Sequence, residues 1–331
     1  MRLKLGVVSS FPNPVCGIAR HTENLCNYLQ RDFDLLMLQN LSYQKKWSGK
    51  LAWQPNRWLE KSLDVDVLWV QYEPGLQIPL EELSQFFKIP RVVTMHQVFE
   101  GENHVKADYA VVHFRELSDG NKIRYIPHGC RDLRFRISKE DAREMIGLPL
   151  DKTIIVSPGR LETRRQLHEL LPVLARHRDI EFYFVGAIPN TDFWLFKRYV
   201  RGLEAQSPSN VHFVAGYPVP QYLLDLYCQA ADHLMWTNVP THYSVSGAAQ
   251  AAFEFNKLAL TPVGVRLFNY LTEENSFKFY SLNHLDRLLS ELHDDPIRRA
   301  RLAEDFERYK FPRVAKLYKE LFVEAYEQTT N

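Results

Sequence analysis

The sequence predicts an α/β protein with two parallel sheets, each covered by helices on both faces. Short apolar runs rich in β-branched residues alternate with amphipathic stretches, a pattern typical of strands that are buried on both faces. The alternation occurs in two series, on either side of a segment at about 131–150. A chain of 331 residues is also long enough for about two domains. We therefore predict two Rossmann-like domains that face a central cleft.

The first series begins with a strand at Leu3 to Ser9, a turn rich in proline and glycine, and a helix at 18–29. Five more apolar runs in this half predict strands at 34–38, 67–71, 91–95, 109–113 and 123–126. We assign residues 1–135 to an N-terminal domain.

The second series predicts strands at 153–157, 181–185, 211–214, 233–235 and 258–261 and helices at 166–176, 222–230 and 247–255. Residues 136–311 form the predicted C-terminal domain. The segment 312–331 holds an amphipathic helix at 313–326 after Pro312, a residue well suited to a helix start.

Composition argues against several classes of protein. The 41 Lys and Arg residues balance 40 Asp and Glu residues, for a net charge of +1, which argues against a general nucleic-acid binder. The four cysteines are scattered and form no CxxC pair, so neither a disulfide framework nor a zinc ribbon is expected. No apolar run is long enough for a signal peptide or a membrane span. We expect a cytoplasmic protein that can still lie at the inner face of the membrane.

Ligands of open parallel sheets bind beyond the carboxyl ends of the strands, so the residues that follow each strand are candidate site residues. Gly17 follows the first strand and opens a helix, where backbone N–H groups can approach an anion; a plain turn glycine is the alternative. No GxGxxG motif is present, so a dinucleotide fingerprint is not predicted. Glu73 and His96 follow two further strands; a solvated carboxylate and a structural histidine are the alternatives.

The strongest candidate segment follows the first strand of the second series. Gly159 ends that strand, and the basic residues Arg160, Arg164 and Arg165 precede a helix, a combination suited to a phosphate or diphosphate. Cations oppose the dipole at a helix N-terminus, so their placement indicates an anionic ligand. A solvated helix start is the alternative.

Two weaker signals lie elsewhere. Ser246 and Gly247 precede a predicted helix, where Ser246 can cap the helix and neighbouring N–H groups can bind phosphate oxygens; an ordinary cap is the alternative. Asp64 and Asp66 form a DxD pair, but they precede a strand and so belong to the opposite edge of the sheet.

The stretch 43–61 combines three tryptophans with five lysines and arginines. Aromatic side chains interleaved with cations suit a membrane interface, a sugar platform or a nucleic acid. A partly buried loop whose tryptophans pack on the domain explains the same composition equally well.

Together these segments resemble the GT-B glycosyltransferases, in particular the family 4 group of retaining enzymes. The resemblance runs along nearly the whole chain and rests on the order and spacing of short motifs. In the first half these are Cys16 to Leu25, Val70 to Gly75, Val93 to His96 and Ile126 to Gly129. In the second half they are Gly159-Arg160-Leu161 followed by Arg165, Phe184 to Gly186 and Val214 to Tyr217.

The sequence departs from that family at its usual Glu-x7-Glu pair. Tyr243 and Ala251 stand at the two glutamate positions, which puts the ribose and sugar contacts in question. Polar residues nearby are His242, Gln250 and Glu254, and Ser246-Gly247 matches some branches of the family.

The resemblance implies a retaining hexosyltransferase. It would move a sugar from a nucleotide diphosphate sugar, held by the C-terminal domain, to a hydroxyl acceptor on the N-terminal domain. The acceptor would be a glycan or a lipid-linked saccharide in cell-surface polysaccharide synthesis. The last helix would cross back to the N-terminal domain. The implied partners are this donor and acceptor, with membrane contact through 43–61 and no nucleic acid.

The resemblance also implies a role for each site residue. Arg160, Arg165 and the helix starts at Gly17 and Ser246-Gly247 would neutralise the diphosphate as it leaves, so no metal and no cofactor are expected. His96 would bind the transferred sugar, and Glu73 would orient the acceptor or accept its proton. The remaining implied donor-binding residues are Gly159, Gly216, Tyr217, His242 and Glu254.

Two other functions fit the same resemblance. The missing glutamates favour a catalytically weakened or non-catalytic GT-B binding subunit. A GT-B nucleotide-sugar epimerase would bind the same donor, but it would need additional carboxylates in the cleft, which the sequence does not reveal.

Overall fold

The computed structural model describes residues 2–9, 16–39, 44–45, 51–52, 64–72, 89–98, 107–133, 136–188, 193–216, 219–238 and 243–330. The chain packs into two units. The first comprises Met1–Gly129, His242–Val245 and Tyr309–Asn331, and the second comprises Cys130–Thr241 and Ser246–Arg308. The chain therefore returns twice to the first unit after entering the second. Our sequence-based division had boundaries after residues 135 and 311.

The first unit is built on a parallel sheet. The described strands up to residue 129 are β1 (Leu3–Ser9), β2 (Phe33–Gln39), β3 (Gln44–Lys45), β4 (Leu51–Ala52), β5 (Val67–Tyr72), β6 (Arg91–Met95), β7 (Gln97–Val98), β8 (Tyr109–Val112) and β9 (Ile123–Tyr125), with helix α1 (Gly17–Leu29) after β1. Six of them form a sheet in the order β2-β1-β5-β6-β8-β9, and every pair in it is parallel.

The second unit repeats this plan. The remaining strands are β10 (Thr153–Pro158), β11 (Ile180–Ala187), β12 (Val211–Gly216), β13 (His233–Met235), β14 (Tyr243–Ser244), β15 (Ala259–Pro262) and β16 (Phe277–Phe279). The described helices after α1 are α2 (Lys139–Ile146), α3 (Leu167–Leu174), α4 (Phe193–Gln206), α5 (Gln221–Ala230), α6 (Ala251–Phe255), α7 (Leu282–Ser290), α8 (Pro296–Tyr309) and α9 (Phe311–Thr330). Of these later elements, β14 and α9 belong to the first unit. A parallel sheet in the order β12-β11-β10-β13-β15-β16 forms its centre. The two short strands β7 and β14 pair antiparallel within the first unit.

The sheet of the first unit is buried on both faces. Along β5, Val67 and Trp69 belong to one apolar cluster, and Leu68 and Val70 belong to another, as expected when successive side chains point to opposite faces. The first cluster also includes buried residues of α1 and α9. Each fully buried Val, Leu or Phe contributes about 1.5–3 kcal/mol, so this packing holds α9 to the first unit.

Polar contacts fix the register of α9. Thr94 lies between two large side chains: the Trp69 indole N–H donates to its hydroxyl at 2.9 Å, and the Tyr318 hydroxyl lies 3.1 Å from it. The Tyr109 hydroxyl donates to Glu324 at 3.0 Å. No described helix, α9 included, is long and apolar enough to cross a membrane.

In both sheets the chain order reverses beside the first strand. β1 lies between β2 and β5, and β10 lies between β11 and β13. The connections that leave two such neighbouring strands run to opposite sides of the sheet, which opens a crevice beyond their carboxyl ends. A ligand site is therefore expected at these two points.

The structure differs from several predicted helices. The predicted helix 247–255 begins as a 3-10 turn, Ala248–Gln250, and only Ala251–Phe255 is α-helical. The predicted helix 166–176 spans only Leu167–Leu174. It does not include Gln166, because that residue adopts a left-handed conformation with φ of 47°. The sequence did not predict α2, α4, α7 or α8. Charged residues make up half or more of α2 and α8, so the apolar pattern of these two helices is faint.

Candidate active site

The carboxyl edge of the second sheet carries a buried arginine. Arg165 closes a 3-10 turn, Thr163–Arg165, that follows β10, and the residue is only 2% exposed. Its Nη2 donates to the Ser157 hydroxyl, and the ring of Phe184 lies 5.9 Å from the guanidinium carbon. Among the described residues, the Nε and Nη1 atoms of Arg165 have no hydrogen-bond partner.

This environment suits an anion. Desolvation disfavours the charged form of Arg165 and lowers its pKa to about 10, so the side chain is still positive at neutral pH. Burial of a charge without a partner is strongly unfavourable. Two open N–H donors on a desolvated cation match an anion with several oxygens, such as a phosphate.

Hydrogen bonds tie this arginine to the point where the strand order reverses. The Ser157 hydroxyl, at the end of β10, donates to the carbonyl of Met235, the last residue of β13. The Trp236 indole N–H donates to the Pro158 carbonyl at 3.0 Å. The Thr237 hydroxyl donates to the carbonyl of Arg165 at 2.9 Å. The guanidinium is thus held at the crevice between β10 and β13.

Two glycines let the backbone close around the same point. Gly159 has φ of +119°, and a Cβ added to Gly186 would lie 1.6 Å from the Gly159 carbonyl oxygen. A Cβ on Gly159 would in turn lie 3.1 Å from the Cβ of Ala248. Only glycine permits this approach, which brings the loop after β10 against the end of β11 and the turn before α6.

The two arginines predicted beside Arg165 are placed differently from it. Arg160 and Arg164 are about half exposed, and both pair with Glu162, at 3.2 and 2.9 Å. Arg160 therefore reaches a phosphate only by leaving or sharing this carboxylate. Arg165 alone of the three is buried with open donors.

Glu254, proposed from the sequence as a donor contact, is engaged by Arg131. Its carboxylate accepts from the Arg131 backbone N–H at 2.8 Å and from the Arg131 side chain at 3.0 and 2.7 Å. The same guanidinium binds Asp225 at 2.9 and 2.8 Å, and the paired carboxylates raise the pKa of Arg131. In this arrangement Glu254 joins α6 to α5 through Arg131.

The other predicted contacts fall into three groups. Ser246 caps the turn before α6, because its hydroxyl accepts from the Ala249 N–H at 3.2 Å, and Gly247 follows it. Gly216 ends β12, and Gly17 begins α1, whose N-cap residue makes no side-chain capping bond. Glu73, Tyr217, His242 and most of the stretch 43–61 lie outside the described residues.

A cluster of four histidines lies at the carboxyl edge of the first sheet. His96, His113 and His128 follow β6, β8 and β9, and His21 lies on α1. All four are buried. The ring centroids are separated by 4.1 Å for His21 and His128, 5.2 Å for His96 and His113, and up to 6.4 Å for the most distant pair. We call these four side chains the histidine cluster.

The rings of the histidine cluster are neutral at pH 7. Burial lowers the pKa of His113 to about 4 and that of His128 to about 3. Burial and the neighbouring rings hold the pKa values of His21 and His96 well below their ordinary value. Among the described residues, neither ring nitrogen of His21 has a hydrogen-bond partner.

Our sequence analysis selected only His96 from this cluster. His113 and His128 also follow strands in the sequence, and that position was the available signal for them. His21 lies inside a helix and has no such signal. The packing of strand ends that are distant in sequence brings the four rings together.

No metal site is evident in the described part of the chain, where no group of three or more His, Cys, Asp or Glu side chains is placed to hold an ion. Asp66 accepts from the Lys4 backbone N–H at 2.7 Å, and Asp64 pairs with the Lys4 ammonium. Both aspartates precede β5 and lie at the edge opposite the histidine cluster.

Neither a protein-family profile nor a curated protein sequence matches this chain. Its structure is similar to sucrose-phosphate synthase from Thermosynechococcus elongatus, with a TM-score of 0.74 at 16% identity over 98% of this chain and 100% of that one. It is also similar to Anabaena HepE solved with UDP and glucose, with a TM-score of 0.72 at 12% identity over 98% and 100% of the two chains. A third similar structure is α,α-trehalose-phosphate synthase (UDP-forming) from Burkholderia xenovorans, with a TM-score of 0.70 at 11% identity over 97% and 100%.

The chain has the GT-B glycosyltransferase fold. The likeness extends over nearly the whole of each compared chain, so it includes both units of the GT-B fold. The fold class predicted from the sequence is therefore confirmed. In GT-B terms, the crevice beside Arg165 belongs to the C-terminal Rossmann-like unit, and the histidine cluster belongs to the N-terminal one.

Proposed function

We propose that this chain is a glycosyltransferase that moves a sugar from a nucleotide diphosphate sugar to a hydroxyl acceptor with retention of anomeric configuration. The single observation that carries the proposal is Arg165, a buried cation with open Nε and Nη1 donors at the crevice between β10 and β13. HepE, which has the same fold, was solved with UDP and with UDP-glucose, so uridine diphosphate is the first ligand to test.

Arg165 would act on the leaving group. When the bond between the anomeric carbon and the diphosphate breaks, negative charge grows on the phosphate oxygen that departs. Donors already held in place stabilise this charge without reorganisation, and such preorganised stabilisation is usually the largest catalytic contribution. The low-dielectric surroundings of Arg165 strengthen its interaction with that charge.

The first unit would supply the acceptor side of the reaction. His96 would accept a hydrogen bond from a hydroxyl of the transferred sugar, and Glu73 would orient the acceptor hydroxyl or accept its proton. The acceptor would be a glycan or a lipid-linked saccharide of the cell surface. The stretch 43–61 would bring the protein to the inner face of the membrane.

Donor binding is tested by thermal shift with UDP and a panel of nucleotide sugars. A ligand at 100 times its dissociation constant adds about 2.7 kcal/mol of stability. The Arg165→Ala variant should show a smaller shift, and Arg164→Ala, whose side chain is exposed and paired with Glu162, should keep the full shift. The absence of any shift in the parent protein would refute the proposed donor site.

Metal independence is a separate part of the proposal and has its own test. If Arg165 and backbone N–H groups neutralise the diphosphate, turnover should survive a chelator. Activity that is abolished by the chelator and restored by Mn²⁺ or Mg²⁺ would show instead that a metal performs this role.

A non-catalytic donor-binding subunit is the second candidate, and the position of Glu254 favours it. Its carboxylate is bound to Arg131, and no glutamate stands at residues 243 and 251. Release of UDP that depends on an added acceptor would support the transferase. A saturable thermal shift without any release of UDP would support the binding subunit.

A further inference from the structure

Gln71 and His96 form a buried pair beside the first switch point of the GT-B fold. Gln71 is the next-to-last residue of β5 and is fully buried, and His96 follows the neighbouring strand β6 with 7% exposure. The Gln71 Oε1 atom lies 2.6 Å from the His96 Nε2 atom. Strand pairing places Gln71 opposite Thr94, two residues before His96, so the backbone fixes this contact.

The chemistry of the contact determines which ring nitrogen carries the proton. An amide oxygen can only accept a hydrogen bond, so His96 must donate from Nε2. The distance of 2.6 Å is slightly shorter than the usual range of about 2.7–3.2 Å for N–H···O bonds, and a contact between two nitrogens, which are larger, would be longer. A neutral imidazole has one N–H, and His96 is neutral because its pKa is far below 7. Its Nδ1 atom is therefore a bare acceptor.

The neighbouring rings are in the other tautomer. The Nδ1 atom of His113 lies 2.8 Å from the carbonyl of Ile126, and the Nδ1 atom of His128 lies 2.9 Å from the carbonyl of Gly129. A carbonyl also only accepts, so these two rings donate from Nδ1. His96 thus differs in tautomer from His113 and His128, and the side chain of Gln71 causes the difference.

We propose that Gln71 is a positioning residue that fixes His96 as the Nε2–H tautomer, so that Nδ1 is an obligate hydrogen-bond acceptor for a substrate hydroxyl. The role of His96 toward a hydroxyl rests on the proposed function; the tautomer does not. An obligate acceptor binds a group that can donate, and so selects a sugar hydroxyl against the deoxy or fluoro sugar that lacks its proton. The Gln71 amide nitrogen is buried without a partner among the described residues. Such a group lowers the stability of the protein, and a functional role is one explanation for its presence in a native structure.

The tautomers are measured by ¹⁵N-resolved NMR of the whole, ligand-free protein at pH 8. Each ring is assigned from the signals that disappear in its His→Gln variant. His96 should show a protonated Nε2, and His113 and His128 should show a protonated Nδ1 and serve as internal references. A protonated Nδ1 on His96 would overturn the proposal, because it would mean that the Gln71 amide group donates.

Two variants test whether Gln71 is the cause. Gln71→Met removes the acceptor at similar volume and should release His96 from the Nε2–H form while leaving His113 and His128 unchanged. Gln71→Glu restores acceptor oxygens and should restore the Nε2–H signal. If His96 keeps its tautomer in Gln71→Met, Gln71 does not fix it and the proposal is overturned.

Steady-state kinetics of the Gln71 variants then test whether the tautomer of His96 affects catalysis. With a UDP-sugar donor, Gln71→Met should lower kcat/KM by about ten- to hundredfold, as loss of an outer partner of a functional histidine does in metal sites, and Gln71→Glu should recover part of it. An unchanged kcat/KM despite the NMR change would overturn the positioning role. The NMR spectra are recorded without turnover, so they report the tautomer of His96 even if the transferase proposal fails.

Discussion

Arg164 and Arg165 are neighbours in the sequence but have opposite environments. Arg164 is half exposed and paired with Glu162, whereas Arg165 is buried, bound to Ser157 and left with two open donors. A hydrogen bond to a charged group contributes about 1.5–3 kcal/mol, and only Arg165 has desolvated donors with which to make one. This difference makes the pair a matched test of the proposed phosphate site.

We expect Arg165→Ala to lower turnover by roughly ten- to hundredfold, which is the loss of about 1.5–3 kcal/mol at 1.36 kcal/mol per decade. The effect should be larger on turnover than on donor affinity, because the departing diphosphate is more negative than the bound donor. Steady-state kinetics of Arg165→Ala, Arg164→Ala and the parent measure it. Equal damage from the two substitutions would show that the wrong arginine has been assigned to the phosphate.

Gly186 offers a second test at single-residue scale. A Cβ there would lie 1.6 Å from the Gly159 carbonyl oxygen, so the backbone at the crevice must move. Gly186→Ala should lower the free energy of unfolding by about 2–3 kcal/mol and abolish the thermal shift by UDP. Urea unfolding measures the first effect and thermal shift the second.

Gly202 is the control for this substitution. It lies inside α4, and a Cβ there meets no atom within 4 Å. Gly202→Ala should raise the free energy of unfolding by about 0.5–1 kcal/mol, because alanine loses less backbone entropy in a helix than glycine. A Gly186→Ala protein as stable as the parent would contradict the close approach of the two backbones.

At the scale of elements, three strand ends and one helix bring together the histidine cluster. Folding lowers the pKa values of its rings, so the unfolded chain binds protons more readily than the folded one. Each ring therefore contributes stability that is complete above about pH 6.5, the ordinary histidine pKa. That stability is lost as the pH falls toward 4.

We expect acid to destabilise the protein by about 2 kcal/mol for each such ring between pH 7.5 and pH 5. His21→Leu removes one titrating ring that has no hydrogen-bond partner among the described residues. It should therefore lose about 2 kcal/mol less than the parent over this range. Urea unfolding at the two pH values is the measurement, with His168→Leu, an exposed ring, as the control. A His21→Leu protein that loses as much stability as the parent would show that His21 does not titrate on unfolding.

The sequence predicted the strands better than the helices. β1 contains the apolar run Leu5 to Val8, and β10 contains the run Ile154 to Val156. A run that is buried on both faces of a sheet is visible without knowledge of its neighbours. α8, PIRRARLAEDFERY, has few apolar residues, so its pattern is faint. Its start depends on Asp295, whose carboxylate accepts from the backbone N–H groups of Ile297 and Arg298.

The candidate site was predictable in location but not in detail. Glycine followed by arginines after β10 selected this segment in the sequence as a candidate anion site. The burial of Arg165 and the exposure of Arg164 depend on a left-handed Gln166 and on a hydrogen bond from Thr237, which lies 72 residues away in sequence. The engagement of Glu254 by Arg131 is likewise a contact between residues 123 positions apart.

At the scale of the whole molecule, the residues around Arg165 all belong to the second unit. We expect UDP to slow amide hydrogen exchange most strongly at 157–166 and 236–238, and to leave α9 unchanged. Exchange measured by mass spectrometry with and without UDP tests this. Protection that is as strong in α9 as around Arg165 would place the nucleotide elsewhere.

The return of α9 to the first unit has a consequence for biosynthesis. The ribosome makes the first sheet early, but the helix that covers one of its faces, with Tyr318 and Phe322 against Trp69, is made only after the entire second unit. At about 5–20 residues per second, the nascent sheet waits on the order of ten seconds or longer with that face uncovered. The part of the protein translated first is therefore completed last, and a fragment that stops before Phe311 would expose an apolar surface for chaperones to bind.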